Sequence, residues 1–224
     1  MRKIYHDELD EIGATLIDMA KLVGIAMQRA TSALLDGDLS LAETVISADP
    51  QVDAMREETE RRCFQIIARQ QPVATDLRVL ITSLYMVQDL ERMGDLALHV
   101  AKVARLRFPE IAVPDDIRDV IEQMGDVALS LVAKVGEVID GRDIELAQAI
   151  EAEDDSMDAL HRKLFTLLLS PHWSHGTEAA IDMTLLGRYY ERYADHAVAV
   201  ARRVIFIVTG ERPEPVHTSF GQTS

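Results

Sequence analysis

Two carboxylates stand four residues apart at Glu91 and Asp95, and the same pair returns one hundred residues later as Glu191 and Asp195. On a helix that spacing puts both acids on one face, where like charges repel by roughly 0.2–0.5 kcal/mol unless something positive sits between them. Asp49 with Asp53 and Asp154 with Asp158 repeat the spacing elsewhere. If the segments that carry these pairs are neighbours, four carboxylates meet in each half of the chain. An all-oxygen donor set suits hard cations such as Mg²⁺, Ca²⁺, Mn²⁺ or ferric iron, and shared carboxylates can bridge several ions. Two cation sites are therefore expected, one from Asp49, Asp53, Glu91 and Asp95 and one from Asp154, Asp158, Glu191 and Asp195. A single pair of this kind is more often a solvated helix face. Its repetition at matching places argues for a site, although acidity kept for solubility alone would repeat in the same way. Arg92 and Arg192 stand beside the pairs as candidates to neutralise them. His99 reads as an exposed histidine rather than a ligand.

The elements that must position these acids are helices. Seven prolines and eleven glycines fall mostly at a few breaks, and between them lie six long segments with apolar residues at every third or fourth place. The periodicity predicts helices over about 4–35, 39–69, 74–107, 115–139, 143–170 and 176–209 and no strand. In the third segment Met86, Leu90, Met93, Ala97, Val100 and Ala104 form one stripe, and in the sixth Leu186, Tyr190, Tyr193, Ala197, Val200 and Val204 form its copy. Both stripes should face a core, with the Glu–Asp pairs turned away from them.

Between 91–101 and 191–201 six of eleven residues are identical. The second and fifth segments also correspond, Val45, Val52 and Asp53 matching Ile150, Met157 and Asp158, and the turns before them match as Asp36-Gly37-Asp38 and Asp140-Gly141-Arg142. Shared helicity does not produce such identity; duplication does. The fold expected is all-α, a tandem repeat of two three-helix bundles built from six long helices. The first unit spans 1–110 and the second 111–209, joined where Pro109 and Pro114 break the pattern, and 210–224 reads as a disordered tail.

Composition bounds the function. The 224 residues carry 38 acidic against 23 basic side chains, a net charge of −15, so binding to a phosphate backbone is disfavoured and nucleic acid is not expected as a partner. The single cysteine, Cys63, fits a reducing compartment. The charged start Met1-Arg2-Lys3-Ile4-Tyr5-His6-Asp7-Glu8 is unlike an export signal, and the apolar run Val204 to Val208 is far short of the ~20 residues a span needs. A cytoplasmic location is expected. No GxSxG, HExxH or Walker A motif is present. The enzyme reading that competes is a ferritin-like carboxylate-bridged di-metal oxidase or a metal-storage protein, which uses ExxH on two helices. Asp158-x-x-His161 approximates that motif, but its repeat partner is Asp53-x-x-Arg56, which cannot ligate. A non-enzymatic chain is expected.

Glu91-Arg92-Met93-Gly94-Asp95, Glu191-Arg192-Tyr193-Ala194-Asp195-His196-Ala197 and the upstream Gln71-Pro72-Val73-Ala74-Thr75-Asp76-Leu77-Arg78 together resemble the signature segments of the PhoU family of phosphate-transport regulators. The resemblance covers about residues 4–209. It implies two three-helix bundles, a homodimer, and multinuclear metal clusters of iron, magnesium, manganese or zinc on carboxylates at the bundle surface. It also implies negative control of phosphate uptake and of the phosphate-starvation (Pho regulon) response. The partners it implies are the ATPase subunit of the phosphate ABC transporter (PstB-like) and a PhoR-like sensor histidine kinase, with membrane contact only through them. The second unit departs from the pattern: Trp173-Ser174-His175-Gly176-Thr177-Glu178 stands where Asp76 and Arg78 would have counterparts. Unequal metal binding by the two units follows as an expectation.

Overall fold

A computed structural model describes residues 2–211 and the side chains from Tyr5 onward. It contains six α-helices, α1 (Arg2–Asp36), α2 (Leu39–Gln70), α3 (Ala74–Arg107), α4 (Arg118–Gly141), α5 (Ile144–Leu168) and α6 (Gly176–Thr209), and no strand among the described residues. Local chemistry sets the ends. Asp38, which ends the first of the matched turns, and Asp143, which follows the second, cap α2 and α5 by accepting the Leu41 and Leu146 N–H groups at 2.9 and 3.0 Å. Gly37 supplies the left-handed backbone (φ +65°) that the turn before α2 requires, and Gly210 (φ +79°) ends α6 in the same way. The helix α2 runs through Pro50 unbroken.

The fourth helix starts at Arg118, three residues later than the periodicity implies. Val113 and Ile117 are buried in the core, and the Ile117 N–H closes a turn onto the Pro114 carbonyl at 3.1 Å. The apolar residues of the linker therefore belong to a packed turn rather than to a first helical turn. The expected tail lies outside the described residues apart from Gly210 and Glu211.

Helices α1, α2 and α3 pack on one another, as do α4, α5 and α6. Every member of both stripes is buried: Met86, Leu90, Met93, Ala97, Val100 and Ala104 in the first unit, Leu186, Tyr190, Tyr193, Ala197, Val200 and Val204 in the second. Fully burying one of the Met, Leu or Val side chains stabilises by about 1.5–3 kcal/mol. Tyr190 and Tyr193 replace Leu90 and Met93, and their hydroxyls fare differently. Tyr190 shares a 2.8 Å hydrogen bond with Thr31 of α1, whereas the buried Tyr193 hydroxyl has no partner.

The units join along two antiparallel seams, α1 with α4 and α3 with α6. The first closes at glycine: a methyl built on Gly125 would stand 2.8 Å from Thr31 and one on Gly24 3.1 Å from Val132. The second is held by charge. Asp89 in the middle of α3 accepts from Arg203 Nε at 2.7 Å and meets His196 Nδ1 at 3.1 Å. Arg107 at the end of α3 donates to Asp182 at 2.5 Å and also to Glu178, both at the start of α6. Asp89 and Asp182 are buried, so each depends on its arginine.

Candidate functional site

The acidic pairs come together as the repeat requires, because α2 lies along α3 and α5 along α6. Val52 of α2 packs against Gly94 of α3, where a methyl would approach to 3.4 Å, and this contact sets Asp49 and Asp53 opposite Glu91 and Asp95. All eight predicted ligands are half-buried rather than solvated. The Glu–Asp faces do point away from the core stripes, but the neighbouring helix covers them.

Burial and mutual repulsion mark both quartets. In the first, burial raises the Asp49 carboxyl above the usual range, and the charges of Asp95 and Asp53 raise it further. Glu91 is raised likewise, by burial and then Asp95. The second quartet is more strongly perturbed. Burial, with Asp195, Asp158 and Glu191 adding to it, pushes Asp154 up to about 7. Glu191 and Asp195 are also raised, burial again being the largest cause. Strongly displaced carboxyls at one place are a physical sign of a functional site as well as of strain.

The neutralising arginines are not chiefly the ones the sequence points to. Arg188 pairs with Glu191 and bears more strongly on Asp195 than Arg192 does. Arg56 bears on Glu91 more than Arg92 does. Adjacency in sequence misleads here because a neighbouring residue is 100° away around the helix, whereas Arg188 is one turn away on the same face. Arg56 sits on α2, across the groove from Glu91, and also pairs with Glu60 at 3.3 Å.

His99 is exposed, as expected, and stacks on Tyr189 of α6 with ring centroids 5.2 Å apart. His161 is half-buried, edge-on to Phe165 at 4.9 Å, and a methyl on Gly187 would lie 3.1 Å from its ring. Burial, with Arg188 nearby, lowers its pKa, so the ring is held neutral, and its buried Nε2 has no hydrogen-bond partner.

As a metal site the quartets offer the right donors, all oxygen, with negative charge that a cation would relieve. Among the described residues no three carboxylate, imidazole or thiolate side chains are grouped so as to hold an ion as they stand. Coordination would require side-chain rotation and, in the second quartet, release of Glu191 from Arg188.

A model of the PhoU domain matches residues 16–104 and again residues 121–204, the two halves that share the carboxylate pairs. The chain belongs to the PhoU family. Family members named phosphate-specific transport system accessory protein PhoU homolog 2 in Mycobacterium tuberculosis and homolog 1 in Mycobacterium leprae are 50% and 49% identical to it. The former alignment covers 95% of this chain and 100% of the relative, the latter 96% of each. Among solved PhoU structures, that from Pseudomonas aeruginosa is 28% identical with a TM-score of 0.82, covering 92% of this chain and 100% of that one. The phosphate transport system regulatory protein PhoU from Streptococcus pneumoniae gives 26% and 0.81, covering 92% and 98%. The PhoU architecture of two three-helix repeats is therefore the architecture of this chain. No helix among the described residues is long and apolar enough to cross a membrane.

Two features of this PhoU fold escape sequence reasoning. The Asp89–His196–Arg203 network pairs residues more than one hundred positions apart, and nothing local announces it. One signal was present: Asp89 stands beside Leu90 on the flank of an otherwise apolar stripe, where an acid needs a partner. The Arg107–Asp182 pair has no such signal.

Proposed function

We propose that this chain is a cytoplasmic, non-enzymatic accessory protein of phosphate uptake. In this reading it restrains transport and the phosphate-starvation response by contacting the transporter ATPase and a sensor histidine kinase. The observation that carries it is correspondence along both repeats to accessory proteins of phosphate-specific transport, at 43–50% identity over 95–96% of this chain. The acidic, elongated helical surface supports an adaptor, since it offers carboxylates to basic partners and steers their approach.

In the same reading the carboxylate quartets are cation sites. Asp49, Asp53, Glu91 and Asp95 would hold one ion or cluster, and Asp154, Asp158, Glu191 and Asp195 another. A bound cation would neutralise the carboxylates and tie α2 to α3 and α5 to α6. The chain's own residues set the conditions: Arg188 occupies Glu191 until an ion replaces it, and burial around Asp154 lets protons displace the ion as pH falls.

Tagged protein recovered from cells grown in phosphate-rich medium should carry the transporter ATPase and the kinase with it. A deletion strain should express phosphate-starvation genes in that medium, and normal repression there would refute the regulatory role. Elemental analysis after incubation with iron, magnesium, manganese or zinc should show metal that Glu91→Ala with Asp95→Ala lowers by the first site's share. Equal metal in variant and wild type would leave these acids without a cation-binding role. Sedimentation velocity tests the homodimer: twice the 25.0 kDa of one chain is the mass expected.

A further inference from the structure

One rung of the α5–α6 groove departs from the repeat. The two helices run antiparallel, with Arg202 on Glu151 and Gly187 against Leu164, so Asp154 and Asp158 of α5 lie against Asp195 and Glu191 of α6. His161 follows three residues after Asp158, and at 100° per residue Asp154, Asp158 and His161 fall within about 60° of one another. Gly187, Glu191 and Asp195 succeed one another at steps of four on α6. His161 and Gly187 thus make the next rung of the carboxylate ladder. A methyl on Gly187 would stand 2.8 Å from Leu164 and 3.1 Å from the His161 ring, so the ring uses the space that glycine leaves.

Both members of that rung differ in the first unit, where Arg56 holds the place of His161 and Val87 that of Gly187. Arg56 cannot ligate, and it sets a positive charge beside Glu91. In the second unit that cation is gone, and a ring with a buried, unpartnered Nε2 has taken its place. Burial and Arg188 hold the ring neutral, the form that ligates a metal. Two other imidazoles near the quartets are engaged elsewhere: His196 meets Asp89 across the α3–α6 seam, and His99 stacks on Tyr189.

We infer that His161 is a nitrogen donor of the second cation site, joining the carboxylates of Asp158 and Glu191, and that this site takes a transition ion such as Zn²⁺ or Fe²⁺ in preference to Mg²⁺ or Ca²⁺. Imidazole suits the former ions, whereas all-oxygen sets suit the latter. Arg188 pairs with Glu191 and bears on His161, so its release removes a cation from an oxygen and a nitrogen donor together. The two units then differ in chemistry as well as in depth: the first offers oxygen beside an arginine, the second oxygen with nitrogen. The inference rests on the cation-site reading.

The test titrates Zn²⁺ and Mg²⁺ separately into the full-length chain carrying Glu91→Ala and Asp95→Ala, which disables the first site, and into the same chain with His161→Gln added. His161→Gln is expected to weaken Zn²⁺ binding by roughly ten-fold or more, the scale on which altered ligation weakens metal sites, and to leave Mg²⁺ binding unchanged. Nitrogen-15 NMR of the imidazoles adds a readout that needs no variant at His161. Zn²⁺ shifts the Nε2 resonance of the ring that lies edge-on to Phe165, at 4.9 Å between centroids, and Mg²⁺ does not. Circular dichroism and thermal melting of His161→Gln match the parent chain; if the variant does not fold, the nitrogen shift decides alone. Unchanged Zn²⁺ affinity in His161→Gln, equal loss of both ions, or an unshifted Nε2 in Zn²⁺-loaded chain overturns the nitrogen donor and leaves the carboxylate site standing. No binding of either ion by the parent chain overturns the second cation site, and the inference with it.

Discussion

Asp154 is the side chain whose replacement most directly tests the electrostatics of the second quartet. Its carboxyl titrates near 7 because it is buried and faces Asp195 and Glu191 across the α5–α6 groove, with Asp155 and Asp158 on its own helix. An unfolded aspartate titrates at about 3.9. Folding raises this pKa, so the native state holds a proton that the unfolded chain has released. The stability from this group is whole below about pH 4 and is lost as pH rises through about 7. The gap between about 7 and about 3.9 corresponds to roughly 4 kcal/mol at 1.36 kcal/mol per pH unit. Asp154 keeps solvent contact, so screening reduces this to about 1–2 kcal/mol. Asp154→Asn, which copies the protonated shape, should therefore stabilise the chain by about 1–2 kcal/mol at pH 8 and by little at pH 4.5. Urea unfolding followed by far-UV circular dichroism at both pH values measures it. Parallel pH profiles for variant and wild type would refute the account. If the quartet is also a cation site, metal at 100 times its Kd restores about 2.7 kcal/mol to wild type at pH 8 and less to the variant.

The core and the seams give further outcomes, each read by the same denaturation assay. Tyr190→Phe removes the bond to Thr31 and should cost about 1–2 kcal/mol, whereas Tyr193→Phe removes an unpartnered hydroxyl and should be neutral or stabilising by about 1 kcal/mol. Equal losses in the two variants would show that the Tyr193 hydroxyl has a partner. Gly125→Ala puts a methyl 2.8 Å from Thr31 and should cost about 1–3 kcal/mol by forcing the α1–α4 seam apart. Asp89→Ala leaves Arg203 and His196 facing a hole in the α3–α6 seam and should cost roughly 2–3 kcal/mol. An unchanged midpoint there would mean that the charges contribute nothing net.

The helices, the two-unit organisation and the composition of both quartets were legible because each rests on a repeating pattern. A stripe such as Met86, Leu90, Met93, Ala97 fixes which face is buried, and its copy at Leu186, Tyr190, Tyr193, Ala197 fixes the number of units. Once α2 lies along α3, with Val52 against Gly94, the sequence spacing is enough to bring Asp53 opposite Glu91. Features that depend on how one unit meets the other were not legible. The partner of Asp89 is chosen by the register of α3 against α6, and no period within either helix encodes that register. The strength of the perturbation in each quartet was hidden for a related reason. Asp154 and Asp49 are equivalent in sequence, yet Asp154 is displaced up to about 7 while Asp49 moves less, and in both burial is the largest cause. Burial depends on the neighbours that close over the groove, which differ between units. The quartets thus differ in their carboxyl environment, and the cause lies in burial rather than in the missing counterparts of Asp76 and Arg78. The second quartet is the deeper one, so it is the site where a cation would relieve more repulsion and where acid would displace that cation first.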